Sequence, residues 1–164
     1  MAIAIKKTSE KAAGISKPQE ATAMLRADHK RVSDLFTQYE KAKAPSKKKE
    51  IVTKICTELG VHAEVEEQIF YPAVKKALKD KKLVPEATVE HATLKDLIAQ
   101  VKGVEPDGEI FDAKIKVMSE YVKHHVKEEQ NEMFPKAKKT NLDMMALGAQ
   151  MAARKVELLA SGTT

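Results

Sequence analysis

The sequence predicts an all-α protein: an up-down-up-down four-helix bundle built from two helical hairpins, with a fifth helix at the C-terminus. Three observations carry that reading. The 164-residue chain has six Gly, six Pro and no Trp, and is rich in Ala, Lys, Glu and Leu, residues that lose little on entering a helix. Apolar residues recur at spacings of three and four, interrupted at Ala44-Pro45-Ser46 and Pro106-Asp107-Gly108. One stretch also occurs twice. His62-Ala-Glu-Val-Glu66 has a proline ten residues after its histidine, Pro72, and His125-Val-Lys-Glu-Glu129 has Pro135 in the same register.

Residues 1–18 mix Lys, Ser, Thr and Gly without a period and read as a flexible tail. Pro18, Gln19 and Glu20 fit a first helical turn. Met24, Leu25, Val32, Leu35, Phe36 and Tyr39 then form a stripe to about Ala42, with His29 on it. Ser46 is the expected N-cap of the second helix. That helix carries Ile51, Ile55, Leu59, His62, Glu66 and Ile69 on one face, and Pro72 should kink or end it. Residues 73–80 read as a further turn or two before a Lys-rich loop.

The third helix is expected from Glu86 to about Lys102, with His91 among Val89, Leu94, Leu97, Ile98 and Val101. The fourth carries Ile110, Phe111, Ile115, Met118, Tyr121, Val122, His125 and Glu129 towards Pro135. Leu142, Met145, Ala149, Ala152, Val156 and Leu159 make an amphipathic fifth helix, for docking on the bundle or for self-association. The expected divisions are a tail at 1–18, a bundle at 19–138 and a C-terminal helix at 139–164.

Composition narrows the function. The net charge of +5 comes from scattered Lys, with runs at 47–49 and 79–82, and no aromatic residues interleave them. That argues against nucleic-acid binding. One cysteine, Cys56, excludes an internal disulfide framework and fits a reducing compartment. The sequence has no apolar run of membrane-spanning length and no basic-then-apolar leader pattern. The expectation is a cytoplasmic protein without a membrane or nucleic-acid partner, monomeric or weakly homo-oligomeric.

The duplicated stretch has a chemical meaning. Residues four apart share a helix face, so His62 and Glu66 converge, as do His125 and Glu129. Mixed nitrogen and oxygen donors suit iron, zinc or manganese. Heights follow from the turns. His29 lies 16 residues before Pro45 and His62 17 after it; His91 lies 16 before Asp107 and His125 18 after it. In antiparallel hairpins the first pair is level within about 1.5 Å, and the second hairpin repeats the geometry. The halves also align, Asp28-His29 with Glu90-His91 at an offset of 62 and the His-x3-Glu copies at 63.

The core would thus hold four imidazoles and two carboxylates on one plane, a costly burial without a metal. Six such ligands exceed the needs of one structural zinc, and two ions bridged by Glu66 and Glu129 account for the count better. His124, with Glu128 four residues on, competes with His125, but only His125 keeps the proline register. Tyr121, one turn before His125, is a candidate extra oxygen ligand or supporting hydroxyl.

One His, then His-x3-Glu, then one His, then His-x3-Glu, each on its own helix, resembles the hemerythrin-like HHE cation-binding domains. Leu25-Arg-Ala-Asp-His29, His62-Ala-Glu-Val-Glu66-Glu and the two runs ending at Pro72 and Pro135 fit that family over about residues 20–137. The resemblance implies a non-haem di-iron centre, two Fe ions per chain with carboxylate and oxygen bridges. Carried over by position, its ligands are His29, His62, Glu66, His91, His125 and Glu129. It also implies a small ligand such as O2, NO or H2O2. The oxygen carriers have a second histidine where this chain has Lys95, and an Asp five residues after the last His where it has Glu129 at four. That poorer nitrogen set leaves one iron more open and points from O2 carriage towards peroxide decomposition or iron-linked and oxygen-linked sensing. The sequence offers no dedicated acid–base pair beyond the ligands, so turnover stays open.

Overall fold

The computed structural model describes residues 17–162, and the expected tail lies mostly outside them. The described residues form helices throughout: α1 Ala21–Lys41, α2 Pro45–Val65, α3 Tyr71–Leu78, α4 Leu83–Val101, α5 Gly108–Glu128, α6 Phe134–Lys138 and α7 Met144–Ser161. Five-residue π turns, Glu66–Phe70 and Glu129–Met133, join α2 to α3 and α5 to α6. Helices α1, α2, α4 and α5 are the up-down-up-down bundle, and α7 is the added C-terminal helix.

Local chemistry moved several expected boundaries. Glu20 caps α1 rather than lying in its first turn: its carboxylate accepts from the Thr22 and Ala23 amides, each at 2.9 Å. Ser46 does not cap α2. Pro45 takes the first helical position, where its missing N–H costs nothing, and Ala44 precedes it with no side-chain cap. Helix α4 begins at Leu83, three residues earlier than expected. The Asp80 carboxylate accepts from the Leu83 and Val84 amides, and Pro85 falls in the first turn, where no donor is needed.

Pro72 does not end the second helical run. The Tyr71 amide bonds the Glu66 carbonyl five residues back, so one extra residue is absorbed just before the proline. Helical structure then continues to Leu78, and Lys79 closes it in the left-handed conformation. The Phe134 amide bonds the Glu129 carbonyl in the same way ahead of Pro135. Both π turns therefore start on a glutamate of the duplicated motif.

The core has two apolar compartments with a polar layer between them. One contains Leu25, Val61, Phe70, Phe134, Met151 and Leu158. The other contains Phe36, Ile51, Ile55, Leu59, Phe111 and Met118. Helix α7 covers the first compartment, packing on α1, α2 and the first π turn. Gly148 makes this close approach possible: a Cβ there would run into the Gln19 carbonyl and lie 3.0 Å from the Ala21 nitrogen. Val89, Ile110, Met145, Val156 and Leu159, read from sequence as parts of apolar faces, are exposed, because those stripes are wider than the surface each helix buries. Burial pushes the Cys56 thiol up to about 11, so it is an inert core group.

Candidate metal centre

Each bundle helix delivers one histidine to the polar layer. The Nε2 atoms of His29 and His62 face each other at 3.2 Å, and those of His91 and His125 at 3.1 Å. Glu66 and Glu129, at the starts of the π turns, lie between the two pairs. Glu66 Oε2 is 3.2 Å from His62 Nε2 and 3.3 Å from His91 Nε2. Glu129 Oε2 is 3.1 Å from His29 Nε2 and 3.5 Å from His125 Nε2. All six side chains are buried, Glu66 completely. The helical hairpins thus bring all six sequence candidates together. They form two groups able to hold an ion: His29, His62, Glu66 and Glu129, and Glu66, His91 and His125.

Behind each imidazole stands a polar partner on its Nδ1. Glu90 lies 2.6 Å from His125 Nδ1, Glu67 3.0 Å from His91 Nδ1 and the Gln130 amide 2.9 Å from His29 Nδ1. Asp28 lies 3.5 Å from His62 Nδ1, a charge contact rather than a formed hydrogen bond. With a hydrogen kept on Nδ1, each Nε2 turns its lone pair inward, the arrangement that orients metal-ligating histidines. An amide rotates to supply its oxygen where an N–H points at it. Asp28 is itself held by Lys155 of α7 at 2.5 Å and by Arg31 at 2.8 Å.

The cage fits a cation. Glu66 Oε1 and Glu129 Oε2 have no hydrogen-bond partner although both are fully enclosed, and such oxygens are costly unless something positive meets them. Burial alone would push the His62 imidazole down, yet Glu66 and then Asp28 reverse this and raise it to about 10. Burial opposes the shift at His125 too, and Glu129 and Glu90 still raise it. Burial would lift Glu66, but His62 and His91 hold it well below the usual carboxylate range. The enclosed carboxylates demand positive charge, and without metal that demand falls on protons.

Two further sequence candidates, His124 and Tyr121, lie elsewhere, and so does Lys95. His124 is an exposed residue, 3.5 Å from both Glu90 and Glu128, while its neighbour His125 enters the cage. Tyr121 is half-buried, and the hydroxyl that reaches the cage belongs to Tyr71 instead. Tyr71 donates to Glu129 Oε1 at 2.7 Å and lies 3.1 Å from His91 Nε2 and 3.3 Å from Glu66 Oε2. An unbroken α-helix would turn Tyr71 about 140° away from Glu66, and the π turn swings it back. Lys95 points outward, its ammonium 2.8 Å from Glu67 and 3.1 Å from Glu64. It braces the partner of His91 rather than replacing a ligand.

The family model described as Hemerythrin HHE cation binding domain matches residues 20–137. A DNA nickase of Nostoc sp. is 30% identical over 111 residues, which are 68% of this chain and 31% of that protein. The chain therefore spans under a third of this relative's length. A solved hemerythrin HHE cation-binding domain-containing protein from Mycobacterium kansasii shares the fold, with a TM-score of 0.75 at 22% identity over 87% of this chain and 89% of that one.

Proposed function

The chain belongs to the hemerythrin HHE cation-binding family, and from that premise we propose that it is a non-haem di-iron protein that binds or processes O2, NO or hydrogen peroxide. One observation carries the reading. Two fully enclosed carboxylates, each with an unpartnered oxygen, lie between two facing pairs of imidazole nitrogens. In this reading His29 and His62 would hold one ion and His91 and His125 the other, with Glu66 available to both and Glu129 beside the first. When bound, the ions supply redox equivalents and open coordination positions.

The protein's own groups do the rest. Asp28, Glu67, Glu90 and Gln130 fix the imidazole orientations. Tyr71 fixes Glu129 by donating to it, and burial together with the negative charges of Glu66 and Glu129 beside it keeps that hydroxyl protonated. Phe70, Phe134 and Val74, none of them exposed, wall off water on the α7 side. A proton-bearing hydroxyl this close to the cage favours turnover of peroxide over reversible carriage of O2. A sensor reading is favoured by a different contact, Lys155 of α7 on Asp28, which ties a peripheral helix to the cage. The activity in the Nostoc relative's name belongs to a much longer protein and is not carried over.

Metal analysis should give close to two irons per chain, and chelation should lower Tm. A single zinc, or an unchanged Tm, would sink the proposal. Reducing the iron-loaded protein and admitting O2 separates the variants. A stable coloured product supports carriage, rapid reoxidation with fast peroxide loss supports an enzyme, and inertness supports a sensor.

A further inference from the structure

The two hairpins are related by offsets of 62 between α1 and α4 and 63 between α2 and α5, so every feature of one flank has a counterpart on the other. On the α2–α4 flank, Lys95 bridges Glu64 and Glu67, the partner of His91, across the two helices. The matching positions on the α1–α5 flank are Ser33 for Lys95, Lys127 for Glu64 and Gln130 for Glu67. A hydroxymethyl and a lysine cannot make that bridge. That flank has a groove of about 310 Å³, with Ser33, Lys127 and Gln130 on its walls and His29 at its floor.

One observation connects this groove to the cage. On the far side of His29, Val122 and Val126 lies a void of about 10 Å³ bounded by all four imidazoles, and those three residues line both spaces. That void is about the room one water-sized molecule needs. The two ion positions are also unlike. Tyr71 crowds the His91–His125 position, whereas its counterpart Phe134 stacks on His29 at 5.8 Å and offers no oxygen.

We propose that the α1–α5 groove is the entrance for a small uncharged ligand of two to four atoms, passing Val122 and Val126 to the void bounded by the four imidazoles. This rests on the di-iron reading and adds its route. The groove's wall mixes hydroxyls and two amides with Phe36, Val122 and Val126, and Lys123 and Lys127 exceed Glu40 by only one charge, which an uncharged ligand does not feel.

Nitric oxide uptake by the ferrous-iron-loaded protein tests it. Ser33→Lys with Lys127→Glu transplants the Lys95–Glu64 bridge without touching a residue of the cage. It should slow NO association and dissociation alike by roughly tenfold, with Kd and iron content unchanged, because a route alters rates and not the bound state. Val126→Ala thins the wall and should speed both rates, an effect that damage to the fold does not produce. Unchanged rates in both variants overturn the route, as does a shifted Kd with unchanged association. Those results leave the di-iron reading standing. A wild type that loads iron but takes up no NO overturns the ligand-binding reading and the route together.

Discussion

The two halves of the cage are copies that diverged outside the residues facing its centre. His29, His62 and Glu66 are matched by His91, His125 and Glu129, and Asp28 behind His62 by Glu90 behind His125. The differences lie one layer out. Glu67 backs His91 where neutral Gln130 backs His29, and Tyr71 faces the cage where Phe134 stands opposite. Lys95 bridges two glutamates on one flank, where Ser33 lines a groove on the other. Duplication kept what converges on a cation and varied what sets charge and access.

The strongest test of that division is to strike what the halves share. Glu66→Ala removes an oxygen common to both groups. On the proposed two-ion reading it should abolish binding of both ions and lower Tm by about 10 °C or more, since metal affinity is folding energy here. His91→Ala, which belongs to one group, should leave about one ion per chain. Equal loss in both variants, read by metal analysis, would mean that the halves do not bind separately.

Next in size is the response to pH. The His62 imidazole is raised from 6.5 to about 10 in the metal-free fold. Its proton therefore stabilises that fold fully below pH 6.5, and the contribution is lost as pH rises to about 10. A bound cation displaces that proton, so the stabilisation by metal should grow across the same window. Melting the metal-free and metal-loaded proteins at pH 6 to 10 checks this. Curves that stay parallel would remove protons from the competition.

Much of this was legible in the sequence. The helical periods gave the bundle, and counting from Pro45 and Asp107 set four histidines at one height. The proline register chose His125 over His124, and the structure puts His125 in the cage. What could not be read depended on the π turns and on contacts between helices. Counting at 3.6 residues per turn sends Tyr71 away from Glu66, whereas it places Tyr121 one turn before His125. Pro72 held the missing signal: a proline within a helix forfeits a backbone bond, and a local π turn accommodates it. Asp28 and Glu90 were visible as an aligned pair, yet each serves the histidine of the neighbouring helix, which pairing along one helix cannot reveal.

The Tyr71–Phe134 difference can be erased from either side. Tyr71→Phe removes the donor to Glu129 and should cost the metal-free protein about 1–2 kcal/mol. Phe134→Tyr places a hydroxyl where Phe70 and His29 pack closely, at a cost of about 1–3 kcal/mol. If the phenol tunes reactivity, Tyr71→Phe should also change the rate of peroxide loss at constant iron content, and Phe134→Leu should not. A common rate would reduce Tyr71 to a packing group.

The smallest expected effect concerns the outermost layer, where each half has one lysine behind a carboxylate. Lys155 meets Asp28 at 2.5 Å with the two side chains 17% and 5% exposed, whereas Lys95 meets Glu67 at 2.8 Å with 41% and 27% exposed. An exposed pair is screened by water, so Lys95→Ala should cost under about 1 kcal/mol. Lys155→Ala leaves a buried carboxylate with Arg31 as its near cation, and should cost about 1–3 kcal/mol. Its loss also frees Asp28 to turn from His62, so bound metal should dissociate faster from Lys155→Ala than from Lys95→Ala. Equal metal release from the two variants would show that α7 covers the bundle without bearing on its centre, and would remove the contact on which a sensing role depends.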